Sequence, residues 1–190
     1  MKLKILPHSL FDDDMKRMGL NDENVENSNM AFISIIGTPE CLKYYLGEEK
    51  TKHYFKDHPN VLNLDFDDIE DDVIYNGHHF KTMRMEQAEK AVDFIEVMVE
   101  KGVDVIEGHC KAAYSRSRAF GEFIYRYCQE HDIDVEYEDR SDYTTVLNQG
   151  VLGRLNHAYW KKHNMNEYKD GNAEYPNDLA EPKIRIINTE

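Results

Sequence analysis

Between Val103 and Cys128 the chain reads VDVIEGHCKAAYSRSRAFGEFIYRYC, and no other stretch so narrows what it can fold into. Residues 103–106 are a short apolar, β-branched run that predicts a buried strand. Beyond a tight loop, Ala119, Phe120, Phe123, Ile124, Tyr127 and Cys128 recur at helical spacing and predict an amphipathic helix from about residue 117. Strand, loop and helix in that order are a unit of an α/β sheet, which gathers its ligands beyond the carboxyl ends of its strands. Cys110 falls at that end and Arg116 six positions on, with His109 before the cysteine and Ser117 after the arginine.

The backbone N–H groups of residues 111–115, with the unpaired N–H groups of the first helical turn, can converge on one point and make an anion nest. Such a field also favours the ionised form of a thiol at its centre. A guanidinium at the far end of the loop can grip two oxygens of a tetrahedral oxyanion. An ionised nucleophile beside a cradle for a dianion suits attack of sulfur on phosphorus, with a phosphate monoester as substrate and a cysteinyl-phosphate intermediate.

The segment HCKAAYSRS resembles the His-Cys-x5-Arg-Ser signature of the cysteine-dependent protein tyrosine phosphatases, most of all their compact dual-specificity branch. The resemblance runs upstream through FIEVMVEKGVDVIEGHC, which has that branch's order of helix, turn and strand, and it covers roughly residues 60–130. In agreement with the chemistry above, it implies that Cys110 is the nucleophile and that Arg116 binds phosphate and stabilises the transition state. It further implies that Ser117 hydrogen-bonds the sulfur and helps it leave, and that His109 orients the loop. Lys111, Ala112, Ala113, Tyr114 and Ser115 supply backbone N–H groups, and Lys111 and Tyr114 can reach the substrate from the rim. Two positions depart from the pattern. Ala113 stands where glycine is usual, which costs about 1–2 kcal/mol if its φ is positive. Gly108 replaces a β-branched strand residue.

Ester cleavage needs a proton for the leaving oxygen. In the dual-specificity branch an aspartate just after the preceding strand supplies it. Laying LNLDFDD on that pattern puts Asp68 in the role, with Asp67, Asp71 and Asp72 as alternatives. The interval from Asp68 to Cys110 is longer than the branch's pattern, and the extra length around residues 73–82 could shift the register or form a flap. No metal is expected from this acid cluster: an EF-hand loop begun at Asp65 would have Glu70 at its glycine and Asn76 at its glutamate. No cofactor is expected.

Elsewhere the patterning predicts strands over 2–6, 31–36 and 60–66, helices over 10–18, 85–101 and 144–162, a helical turn from Pro39, and a short exposed helix within 47–57. Ser9 is expected to cap the first helix, with Leu10, Phe11, Met15 and Met18 inward. An extended piece is expected at 134–137. Cys41 and Cys128 read as small buried residues, Arg118 as half of a surface ion pair, and Asn148 as a helix polar residue or a buttress of the loop. Ile184, Ile186 and Ile187 could dock as a short strand.

These elements imply a three-layer α/β/α fold, with a central, mostly parallel sheet of four to five strands flanked by helices. One domain is expected over residues 1–165, followed by a polar tail over 166–190. The chain of 190 residues carries a net charge of −14, which argues against general nucleic-acid binding. Neither a membrane span nor a signal peptide is expected, and three unpatterned cysteines suit the cytoplasm. A monomer is expected, acting on phosphotyrosine, and potentially phosphoserine or phosphothreonine, in proteins or peptides. Two alternatives stay open: a phosphate-binding module without turnover, and a phosphatase for a phosphoinositide, a nucleotide or an RNA 5′ end.

Overall fold

The computed structural model describes residues 1–46, 52–139, 147–164 and 184–187. In chain order the elements are β1 (Lys2–Pro7), α1 (His8–Met18), β2 (Met30–Ile36), α2 (Pro39–Leu46), β3 (Val61–Asp65), β4 (Asp72–Tyr75) and β5 (His78–Phe80). They continue with α3 (Met85–Glu100), β6 (Val105–Cys110), α4 (Arg116–Glu130), β7 (Glu136–Asp139), α5 (Gln149–His163) and β8 (Ile184–Ile187).

The central sheet has five strands in the order β3-β2-β6-β1-β7, each paired in parallel with its neighbours. From β1 the chain steps one way to β2 and β3, then reverses to β6 and β7. Right-handed crossovers therefore place the helices of the two journeys on opposite faces. Packing agrees. Ala31, Ile33 and Ile35 share a core with Leu3, Ile5, Ile106 and the inner faces of α3, α4 and α5, while Phe32 and Leu6 share a second with Phe11 and Met15 of α1. The domain is thus layered α/β/α, and β6 lies mid-sheet beside the reversal point. Where α4 crosses the sheet, a Cβ on Gly121 would come within 2.7 Å of Ile5 Cγ1 and meet the Tyr137 hydroxyl, so only glycine allows that approach.

Several local expectations change. Helix α1 begins at His8 with Pro7 at its N-cap and no side-chain cap, so Ser9 does not serve. Its buried residues are Phe11 and Met15, one turn apart; Leu10 points 100° away round the helix and Met18 sits in the final turn, and both are exposed. The predicted helix within 47–57 is not present over 52–57, where Phe55 is buried edge-on against Phe11; residues 47–51 lie outside the described residues. Strand β6 begins at Val105, two residues into the apolar run, and carries on past His109 to include Cys110 itself. A Cβ at Gly108 would lie 3.2 Å from Ile5 Cδ1 and 3.8 Å from Ile33 Cβ, so the β-branched side chain usual there has no room. The extra length after Asp68 folds as the antiparallel β4–β5 hairpin, and β8 adds to β4 in parallel to make a small second sheet. The first part of the helix predicted over 144–162 lies outside the described residues, as does residue 165 onward apart from β8. Among the described residues no helix is long and apolar enough to cross a membrane.

Candidate active site

Cys110 ends β6 in register with Pro7 of β1, at the carboxyl edge of the sheet where the strand order reverses. It is 2% exposed, and the Ser117 hydroxyl donates to its sulfur at 3.2 Å. The loop to Arg116 is fixed from outside through its carbonyls. Lys111 O accepts from His8 N–H at 3.3 Å, and Ser115 O accepts from Asn148 N–H at 3.4 Å and Ala119 N–H at 3.0 Å. Ala113 is fully buried at φ 59, the left-handed region where glycine is ordinarily required. Its methyl packs into the main core.

Arg116 opens α4, is 7% exposed, and donates through Nη1 to Phe66 O at 2.6 Å. Its Nε is buried without a partner, and among the described residues it makes no ion pair. A buried guanidinium with an unspent donor is costly unless something anionic meets it.

On the other face of β6, His109 and Glu107 point toward α1. His109 is fully buried, packs against Phe11 with its ring tilted and the centroids 4.2 Å apart, and faces His8 with Nδ1 to Nδ1 at 3.3 Å. Burial, with the His8 and His53 charges adding, pulls its pKa well below the usual histidine value, against a hydrogen bond to the Cys110 backbone. It is a neutral ring under the loop, and one of the facing nitrogens must donate to the other. Behind it, His8 Nε2 lies 3.7 Å from Asp12 Oδ2.

The four aspartates separate by their partners. Asp68 is exposed at the rim, where its Oδ1 accepts from Ser115 Oγ at 2.7 Å and Asn148 Nδ2 at 3.0 Å. Asp67, one residue earlier, is buried and held by three donors: Thr38 N–H, Thr38 Oγ1 and Lys81 N–H donate to its carboxylate at 2.8–3.0 Å. Asp72 is buried against Arg84 at 2.6 Å, His79 and the Thr82 N–H; burial would raise its pKa, but these donors together hold it below the usual range. Asp71, beside it, is half-buried. Only Asp67 and Asp68 of the four line the cleft.

That cleft, of about 1070 Å³, holds Cys110, Lys111, Ala112, Tyr114 and Arg116 at its floor and rim. Lys111 and Tyr114 are exposed, while Ala112 and Ser115 are half-buried. Its far wall is apolar, made by α2 and the β4–β5 hairpin. Cys41, read as a small buried residue, is instead half-buried and lines the cleft; burial and then the Asp67 charge push its thiol up to about 12. Cys128 is in the core. Arg118 pairs with Asp139 of β7 at 3.2 Å. Among the described residues no group of three or more His, Cys, Asp or Glu side chains could hold a metal ion.

The structure also brings in residues the sequence did not single out: His8, Thr38, and the carbonyl of Phe66. Asn148 takes the buttressing position that its sequence context left undecided, capping α5 through Val151 N–H at 3.0 Å while bonding Asp68. Comparison with protein-family models, with curated proteins and with solved structures found no match.

Proposed function

We propose that this protein hydrolyses phosphate monoesters through a cysteinyl-phosphate intermediate, in the manner of the dual-specificity phosphatases that HCKAAYSRS resembles. The observation that carries the reading is the unpartnered Nε of buried Arg116 lining the same cleft as Cys110, whose sulfur already accepts from Ser117. A bound phosphate would satisfy that donor, and the outward anchoring of the loop carbonyls leaves its N–H edge for the remaining oxygens.

The residues then divide the work. The Cys110 sulfur attacks phosphorus as the bond to the leaving oxygen breaks, and Asp68, in its protonated form, gives that oxygen a proton. Arg116 and the loop N–H groups hold the equatorial oxygens, where charge is greatest. In the second step water attacks phosphorus, the Asp68 carboxylate takes its proton, the S–P bond breaks, and Ser117 donates to the departing sulfur. Asp67 is a poor candidate for the proton because it is buried and its two oxygens already accept from three donors, Thr38 N–H, Thr38 Oγ1 and Lys81 N–H. Phosphotyrosine in a protein or peptide is the proposed substrate.

Positive φ at Ala113 favours a second reading, a module that binds phosphate without turning it over. Turnover of para-nitrophenyl phosphate decides between them: wild type should hydrolyse it with inhibition by vanadate, and Cys110→Ser should abolish the reaction. Phosphate binding by calorimetry with no turnover above background would select the binding module.

A further inference from the structure

We propose that the wall formed by α2 and the β4–β5 hairpin is a specificity subsite, and that it takes a large apolar side chain adjacent to the phosphotyrosine of a peptide substrate. The inference rests on the phosphatase reading above and names the substrate features that the same cleft would select.

The argument begins with size. A cleft of about 1070 Å³ exceeds what a phosphate and one phenol ring can fill, since about 300–1,000 Å³ holds a whole drug-sized ligand. Its floor accounts for the phosphate, and the space beyond is walled by Leu42, Tyr45, Val73, Tyr75 and Phe80. Phe80 is buried and backs the wall, with Tyr44 and Tyr45 set against its ring at 5.6 and 5.7 Å. Tyr45 is 68% exposed although it lines the cleft, so an apolar group seated there would cover aromatic surface that water now wets.

Charge decides what the group is attached to. Arg116 is taken up by the phosphate, so Lys52 and Lys111 are left facing Asp67 and Asp68 across the cleft; with the phosphate dianion seated and the whole chain at −14, an acidic residue beside the phosphotyrosine is repelled, as is a polyanion or an anionic lipid surface. At the rim, Lys111 and Tyr114 offer donors to the carbonyls of a peptide backbone, which a lone acyl chain lacks. The hairpin that supplies three of the five wall residues is the length by which the chain exceeds the family's pattern, so this selectivity would belong to this chain.

The test uses the full-length protein and three phosphotyrosine peptides that differ only at the neighbouring residue: leucine, alanine or aspartate. Decyl phosphate serves as the lipid-like comparison. The leucine peptide is expected to exceed the alanine peptide about tenfold in kcat/KM, the scale a hydrophobic pocket can discriminate, with aspartate below both. Tyr45→Ser and Tyr75→Ser, at exposed and half-buried positions, should each shrink the leucine-to-alanine ratio to about twofold. Equal values for the three peptides, a ratio untouched by both substitutions, or decyl phosphate as the best substrate would each overturn the inference. The same peptides are also titrated into Cys110→Ser protein by fluorescence anisotropy. A leucine preference in binding, from a wild type that turns nothing over, would keep the subsite and remove the phosphatase; turnover with no preference in either assay would do the reverse.

Discussion

The side-chain amide of Asn148 donates to Asp68 Oδ1 at 3.0 Å, joining residues eighty positions apart in the sequence. The same Asn148 caps α5 through its own oxygen and ties its backbone N–H to Ser115 of the loop. One residue therefore holds Asp68, the loop and a helix terminus in fixed relation. Replacing Asp68 by Asn should lower kcat on a phosphopeptide about 10²-fold or more, the usual worth of a general acid. It should lower it far less on para-nitrophenyl phosphate, whose leaving group needs little protonation. Asn148→Ala should cost about 1 kcal/mol of stability through the lost cap, and shift kcat in the same direction as Asp68→Asn by a smaller factor. Equal losses on both substrates for Asp68→Asn would remove it from the acid role.

Asp67 should behave differently although it is adjacent. Its carboxylate gathers Thr38 at the start of α2 and the Lys81 N–H beyond β5. Asp67→Ala would leave the two buried Thr38 donors and the part-buried Lys81 N–H without their acceptor, at about 1–3 kcal/mol for each buried one. The melting temperature is expected to fall by roughly 4–24 °C, given about 2–4 °C per kcal/mol for a chain of this size. A variant that melts like wild type but has lost only the basic limb of its pH–rate profile would make Asp67 the acid instead.

Ala113 offers a test of how strain and packing balance. Its φ of 59 costs about 1–2 kcal/mol relative to glycine. Against this, Ala113→Gly loosens the unfolded chain by about 0.4–1 kcal/mol and removes a buried methyl worth about 0.8 kcal/mol. The two sides nearly cancel, so glycine should move stability by less than about 1 kcal/mol, whereas Ala113→Val, β-branched at positive φ, should destabilise markedly. Denaturant unfolding of both variants checks this; a glycine variant more stable by several kcal/mol would mean the methyl packs poorly.

Stability should also depend on pH through Glu107. Burial pushes its carboxyl from 4.5 up to about 7, with Lys4 at 3.3 Å pulling the other way and the Asp14 charge adding to burial. Between those values the folded protein holds a proton that the unfolded chain has released, so stability falls as pH rises through that window and levels off above it. The loss amounts to about 3 kcal/mol. Glu107→Gln should flatten this slope and melt higher than wild type at pH 8, with Lys4 still facing Asp14. Thermal unfolding from pH 4.5 to 8 reads it directly, and an unchanged slope would sink the assignment.

Much of this could be read in the sequence wherever the determining forces are local. The strand–loop–helix about Cys110, the end of α3 just before Gly102, whose φ of 67 suits glycine, and the hydroxyl of Ser117 on sulfur depend on neighbours a few residues apart. The aspartate assignment depends on more. Asp67 and Asp68 look alike in LNLDFDD, and it is a backbone N–H at Thr38 and an amide at Asn148 that separate them. His8 meets His109 only because β1 and β6 pair in register, which no spacing along the chain reveals. Residues 52–57 read as polar and helical along the chain, yet Phe55 outweighs its charged neighbours once Phe11 and Phe32 are beside it, and no helix forms there. Gly108 looked like a departure until Ile5 and Ile33 filled the space that a side chain would need.

Strand β4 carries part of the cleft wall on one edge of the hairpin and receives β8 on the other. The lip of the cleft is therefore stitched to Ile184–Ile187, more than a hundred positions further along the chain. A substitution that unpairs β8 would loosen the same hairpin that walls the cleft, so a change well outside the cleft should be felt inside it.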